Sequence, residues 1–249
     1  MQTSNIVMRK TFSLFSTVFI LISTHSQVWF DIGFKGGAGI GLLMNQNIWD
    51  DPEYNHRLSP SYSFGAKLGL NLSNNHEITF DFMASSFRQD FLHNEFDSVS
   101  ITSPIYNSSL SYNSFDYMLL YRHNKDGRYM EIGPSLQSIR KVNFDDEYPI
   151  SDVFEIEDVN QLQTNMIIGF GAYFIGSENF GITTGFRISY TLTDLISQKG
   201  QEEFFPIQKK YQEYKPTHPL FICFIMEANF DFAYFAKAKC TSKTKLILF

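Results

Sequence analysis

From Phe180 to Leu192 the chain reads FGITTGFRISYTL. Phe180, Ile182, Thr184, Phe186, Ile188, Tyr190 and Leu192 alternate there with Gly181, Thr183, Gly185, Arg187 and Ser189. A period of two means an extended strand with two unlike faces, because successive side chains leave a strand on opposite sides. Seven further segments keep this rhythm: Val28–Leu43, Tyr62–Leu72, Ile78 to about Phe87, and the stretches near 115–122, 130–137, 166–174 and 222–232. Eight strands, an even number, suit an antiparallel barrel that closes on itself and leaves no edge unpaired.

The connections alternate as well. SNNH (73–76), HNKDG (123–127) and IGSEN (175–179) are short and turn-like, whereas roughly 43–61, 88–113, 139–164 and 193–219 are long. Short turns on one rim and long loops on the other are the habit of barrels that span a membrane.

Volume decides which face points inward. The apolar faces carry many of the 26 phenylalanines, and the interior of an eight-stranded barrel is only just wide enough for side chains to fill it. Most of the 15 glycines lie on the opposite faces beside serine, threonine and isolated charges. The small, polar face therefore belongs inside and the phenylalanines outside, where only a bilayer covers so large an apolar surface. A strand such as Phe180–Leu192, at ~3.3 Å per residue and ~45° tilt, projects to about 30 Å, one hydrocarbon thickness. Trp29, Tyr121, Tyr129, Phe174, Phe180 and Phe232 fall near one set of strand ends and Tyr62 and Tyr190 near the other, as two aromatic girdles would. A soluble, lipocalin-like barrel would need the reverse arrangement, with a charged coat that the glycine- and serine-rich face does not supply. The expected fold is all-β: an eight-stranded antiparallel transmembrane β-barrel with short periplasmic turns and four long extracellular loops.

The ends divide the chain further. Residues 1–26 have the form of a secretory signal peptide, with Arg9 and Lys10 ahead of the apolar run Phe12–Ile22 and small residues Thr24 and Ser26 at the cleavage site. Met8 is an alternative true start. The barrel is expected over 27–234, followed by a basic tail, 235–249, with Lys237, Lys239, Lys243 and Lys245. Cys223 sits in an apolar strand and Cys240 in the tail, so no disulfide framework is indicated. A net charge of -6 offers no footprint for nucleic acid.

FGAKLGLN (64–71), MEIGPSL (130–136), GFRISYTLTDL (185–195) and the FDFAY end (230–234) carry a likeness. Together with the signal peptide they resemble the small outer-membrane β-barrel proteins of Bacteroidetes-type bacteria, labelled porin-family or PorT-like. The resemblance implies the fold and the cell outer membrane, and no reaction. It departs from the usual pattern at the end, because 17 residues follow Phe232 and Phe249 is again a terminal aromatic.

The inward faces would gather Asp31, Lys35, Lys67, Asp81, Asp116, Arg122, Glu131, Arg187, Glu227 and Asp231. Charges removed from water must be paired, so these residues predict an internal salt-bridge network, with Arg187 meeting Glu131 or Glu227. An ion or proton path is the sharper reading of the same residues. The acidic run Asp145, Asp146, Glu147, Asp152, Glu155, Glu157 and Asp158 reads as a solvated loop before it reads as a calcium or magnesium site. A hydrolase built from His218, Ser197 and Asp194 lacks an elbow such as G-x-S-x-G. Loop aromatics Trp49, Tyr54, Phe96, Tyr106, Tyr148, Phe204 and Tyr211 could meet a protein or glycan, or pack over the mouth. The expectation is a non-enzymatic barrel with no cofactor. Outer-membrane lipid and lipopolysaccharide surround it, and a protein partner could meet its long loops, as in a secretion or motility complex. A lipid A-modifying enzyme and a narrow channel are the alternatives.

Overall fold

The structure is a computed structural model of the chain. It describes residues 28–51, 54–94, 105–147, 154–177, 179–202, 213–237 and 244–248. The expected signal segment, Phe96, Tyr148, Asp152, Phe204, Tyr211, Lys239, Cys240, Lys243 and Phe249 lie outside these residues.

Ten strands form among the described residues. They are β1 (Val28–Met44), β2 (Tyr54–Arg57), β3 (Ser59–Ser73), β4 (His76–Asn94), β5 (Ile105–Lys125), β6 (Arg128–Asp146), β7 (Leu162–Gly176), β8 (Phe180–Thr191), β9 (His218–Lys237) and β10 (Thr244–Leu248). Eight of them, β1-β3-β4-β5-β6-β7-β8-β9, pair in sequence order, and β1 also pairs with β9, so the sheet closes. Every pairing is antiparallel. The turn between β5 and β6 is Asp126-Gly127, with φ of 51° and 73°. Two successive positive φ values match the right-handed twist of a hairpin, and Asp-Gly tolerates them.

Burial follows the alternation. Phe34, Phe64 and Phe174 are 65%, 62% and 71% exposed, whereas Lys35, Lys67 and Arg122 are almost wholly buried. The phenylalanine-rich face is the outside of a closed ring, and the polar face is its interior. Glycine makes this interior possible. A Cβ at Gly171 would strike the ring of Tyr129 and one at Gly185 its hydroxyl, each also meeting a neighbouring backbone carbonyl, and one at Gly69 would strike the Asp31 carboxylate.

Three features depart from the sequence reading. Tyr129 leaves the girdle and points inward, 3% exposed, with the Arg122 guanidinium 4.3 Å from its ring centre. The segments read as loops at 88–113 and 139–146 are largely strand, because β4, β5 and β6 rise well past the apolar band. At the other end β9 runs on to Lys237, and Thr244–Leu248 folds back to pair with Ala233–Lys237, so part of the basic tail is a strand.

The tall strands enclose a second core. Phe87, Phe91, Leu110, Tyr112 and Ile139 turn inward there, and the loops close over them with Ile48, Val159, Leu195 and Ile196. Ile48 comes from a short helix, Gln46–Asp50, whose first turn is capped by the Asn45 side chain accepting from the Asn47 N–H at 2.8 Å. A bridge between Val159 and Ile196 ties two loops together across this cap.

Candidate functional site

The interior below the apolar cap is a network of charge. Six side chains from six strands form a closed ring of alternating sign. Glu227 on β9 accepts from Arg122 Nη1 and Nη2 at 2.8 and 2.7 Å. Arg122 on β5 also donates to Glu131 on β6, from Nη2 at 2.8 Å and Nε at 3.2 Å. Glu131 in turn takes Arg187 of β8 through Nη2 and Nε at 2.6 and 2.8 Å. Arg187 reaches Asp81 of β4 at 3.1 Å, and Lys35 of β1 completes the circuit by meeting Asp81 at 2.6 Å and Glu227 at 3.0 Å. Two-pronged guanidinium–carboxylate contacts hold geometry as well as charge.

Lys67 on β3 hangs from this ring toward the periplasmic end. It contacts Glu227 and Asp31, each at 3.0 Å, and Glu77. Asn71 donates to the second oxygen of Asp31 at 2.5 Å. The network thus holds Lys35, Lys67, Arg122 and Arg187 against Asp31, Glu77, Asp81, Glu131 and Glu227. Glu77 is absent from the sequence-based set. It stands one residue before the point where the third strand was started, yet it shares the odd-numbered face of Thr79 and Asp81, so extending the alternation by one step finds it.

Two of the ten expected residues stay out of the network. Asp231 is half-buried beside a recess of about 220 Å³ at the periplasmic end, whose walls include Trp29, Lys67, Glu77 and Asn229. Asp116 is buried above the ring and takes hydrogen bonds from Ser85 and Ser114 at 2.5 and 3.0 Å. No lysine, arginine or histidine among the described residues lies within ion-pair reach of it. Asp116 lines a cavity of about 30 Å³ with Gln137, Asn165, Arg187 and Cys223, room for a single water. Arg187 meets Glu131 as one of its two expected partners, and its remaining nitrogen, Nη1, donates to the Met118 sulfur at 3.3 Å.

The loop candidates are structural in their surroundings. His218 Nδ1 pairs with the Thr191 carbonyl oxygen at 3.1 Å. Ser197 donates to the Glu157 carbonyl at 2.7 Å, and Asp194 accepts from the Ile196 and Thr217 N–H groups and from the Tyr214 hydroxyl. No hydrogen bond joins His218, Ser197 and Asp194 to one another. In the acidic loop, Asp158 is buried against Lys199 at 3.0 Å, with Glu155 and Glu157 at 3.8 and 3.7 Å from the same ammonium. Among the described residues, no group of three or more His, Cys, Asp or Glu is placed to hold a metal.

The outer cap carries a pH-sensitive contact. The His56 ring stacks on Trp49 at 4.6 Å and lies 5.3 Å from Phe91, and neither of its nitrogens has a hydrogen-bond partner among the described residues. Partial burial there holds its pKa below the ordinary histidine value. Protonation is then easier in the unfolded loop than in the folded one. The stabilisation is complete above pH of about 6.5 and is lost as the pH falls through the folded pKa. We expect the Trp49 emission to change on acidification in the wild type and to stay flat over that range in His56→Gln.

A closed antiparallel ring with an apolar girth, short turns at one rim and tall strands and loops at the other is the architecture of outer-membrane proteins. The fold therefore defines a small outer-membrane β-barrel. No protein-family model and no curated protein sequence matches the chain. Among solved structures it is similar to Neisserial surface protein A, at 10% identity and a TM-score of 0.39, over 80% of this chain and 95% of that one. It is also similar to the outer membrane protein OprG of Pseudomonas aeruginosa, at 6% identity and a TM-score of 0.40, over 83% and 96%. A third is Ail, the attachment invasion locus protein of Yersinia pestis, in complex with the heparin analogue sucrose octasulfate. It shows 12% identity and a TM-score of 0.34, over 82% and 98%. These values describe a general likeness of shape and carry nothing about role.

Proposed function

We propose that the chain is a plugged, non-enzymatic barrel of the outer membrane that works through what its tall outer end presents to a partner. The observation that carries this is the double seal. A ring of six paired charges crosses the middle of the interior, and an apolar cap of Phe87, Phe91, Leu110, Tyr112 and Ile139 lies above it. Charges held this way anchor the wall rather than pass ions, since releasing any one would leave its partner buried and unpaired. The resemblance to the porin-family, PorT-like barrels of Bacteroidetes-type bacteria fits a component of a secretion or motility complex or of the cell surface. Planar-bilayer recording is expected to show no steady conductance above the lipid baseline, and a large steady current would overturn the plug.

A lipid A-modifying enzyme has less support, because Ser197, His218 and Asp194 each hold loop backbone or neighbouring side chains instead of one another. Lipid A from cells with and without the protein should give the same profile.

A further inference from the structure

We propose that the outer wall of β4, β5 and β6 carries a binding site for the phosphate groups of an outer-leaflet glycolipid, built from Arg88, Arg140 and Lys141. The inference rests on the outer-membrane reading and adds a ligand class and a place to it.

The apolar girth on these strands ends at Ala84, Phe115 and Leu136, and the next outward residues are polar: Ser86 and Arg88 on β4, Asn113 and Ser111 on β5, Ser138 and Arg140 on β6. Arg88, Arg140 and Lys141 are all exposed. Ladder pairing places Arg88 opposite Ser111 and Lys141 opposite Asn113, so the bases of β4 and β6 flank β5 from its two sides. Headgroup phosphates lie at this height, directly beyond the hydrocarbon.

A β-bulge sharpens the site. Asn113 pairs with Lys141 but the next residue, Ser114, pairs with Ile139, so Arg140 is an extra residue in β6. Strict alternation would aim Arg140 outward and Lys141 inward. The extra residue aims both outward, with Ile139 and Val142 turned in on either side. Bulges commonly re-aim side chains in this way. The Arg140 guanidinium leans back over the Phe115 ring at 5.8 Å, at the very edge of the apolar band. Its stem covers apolar surface while its charge stays at the interface.

Two carboxylates, Asp90 and Asp145, stand beyond the bases on the outer side, both opposite Ser109 of β5. Asp90 accepts from Arg88 Nε at 2.7 Å, a contact that uses one edge of the guanidinium. In a chain of net charge -6, three basic side chains grouped on one wall at the headgroup level complement an anionic surface. Guanidinium groups suit phosphate because their fork matches its oxygens.

The test uses the full chain in neutral detergent micelles, titrated with diphosphorylated lipid A, with the same lipid stripped of phosphate, and with inorganic phosphate. Diphosphorylated lipid A is expected to bind at least about tenfold more tightly than the stripped lipid and to weaken with salt. Inorganic phosphate at equal concentration should not displace it. The triple variant R88Q/R140Q/K141Q should lose at least about tenfold in affinity, while R88K/R140K, which keeps the charge and gives up the guanidinium fork, should lose less than the triple variant. Equal binding of the two lipids, or wild-type affinity in the triple variant, would overturn the site. Should the triple variant fail to fold, the salt dependence and the two-lipid comparison on the wild type still decide. Failure here leaves bilayer conductance at baseline, whereas an open conductance would strike the plug and leave lipid binding untouched.

Discussion

Replacing Leu68 with arginine is expected to cost about 2–4 kcal/mol of barrel stability, measured by reversible urea unfolding in lipid vesicles. Leu68 lies midway along the outward face of β3, 53% exposed, opposite Ile32 on one side and Phe80 on the other. On a water-facing surface such a change stays within about ±0.5 kcal/mol and improves solubility. On the girth of a barrel in a bilayer, the guanidinium must instead be buried in hydrocarbon or bend toward an interface. The size of the effect therefore reports the solvent that Leu68 faces. Substituting Phe for Leu68 should cost far less, since it leaves the face apolar.

Glu227 is the second position where a large effect is expected. Its two oxygens serve Lys35, Lys67 and Arg122 in a site with no exposed surface. Glu227→Leu removes the partner of three buried cations together, and breaking even one buried pair costs about 3–5 kcal/mol. We expect a loss of at least that size, seen as a lower unfolding midpoint and a weaker shift on unheated gels. Glu227→Gln keeps the shape and one acceptor, so its loss should be smaller. A double variant that also neutralises Arg122 should lose less than the two single changes combined, because the charges left behind no longer stand unpaired.

The eight ring strands and the sense of their faces were legible from alternation alone, since a strand buried in lipid on one side and in protein on the other writes its environment at every second residue. The same rule misled where the environment changed along one strand. Past Ser86 the outward face of β4 meets water, and the apolar side chains switch to the inner face as Phe87 and Phe91. The phenylalanines change parity there while the backbone continues without a break. A search for one uninterrupted apolar stripe stops at that switch and reads the remainder as loop. The β6 bulge hides for a related reason, since one added residue shifts the parity of Val142 and Phe144.

The interior was legible as a set of residue types more than as a pattern of contacts. Alternation placed Arg122, Glu131, Arg187 and Glu227 on inward faces, but which carboxylate meets which cation depends on the stagger of strands around the ring. That stagger comes from register, to which the period of two is blind. Tyr129 was misplaced because an aromatic near a strand end suits a girdle and a plug equally well. Its odd number, shared with Glu131, held the information. Asp116 shows the limit of a charge-pairing rule: hydroxyls of Ser85 and Ser114 serve it where a cation was expected.

The most direct check is to label Thr184, Phe186, Ile188 and Tyr190 singly with a nitroxide, after changing Cys223 and Cys240 to serine, and to measure collision with oxygen and with a water-soluble nickel chelate in a bilayer. These four side chains lie on the outward face of β8. Oxygen should dominate at Thr184, Phe186 and Ile188, with nickel access rising only toward Tyr190. Strong nickel access at Phe186 and Ile188 would mean that water, and not lipid, bathes that face, and the barrel would have to be turned inside out.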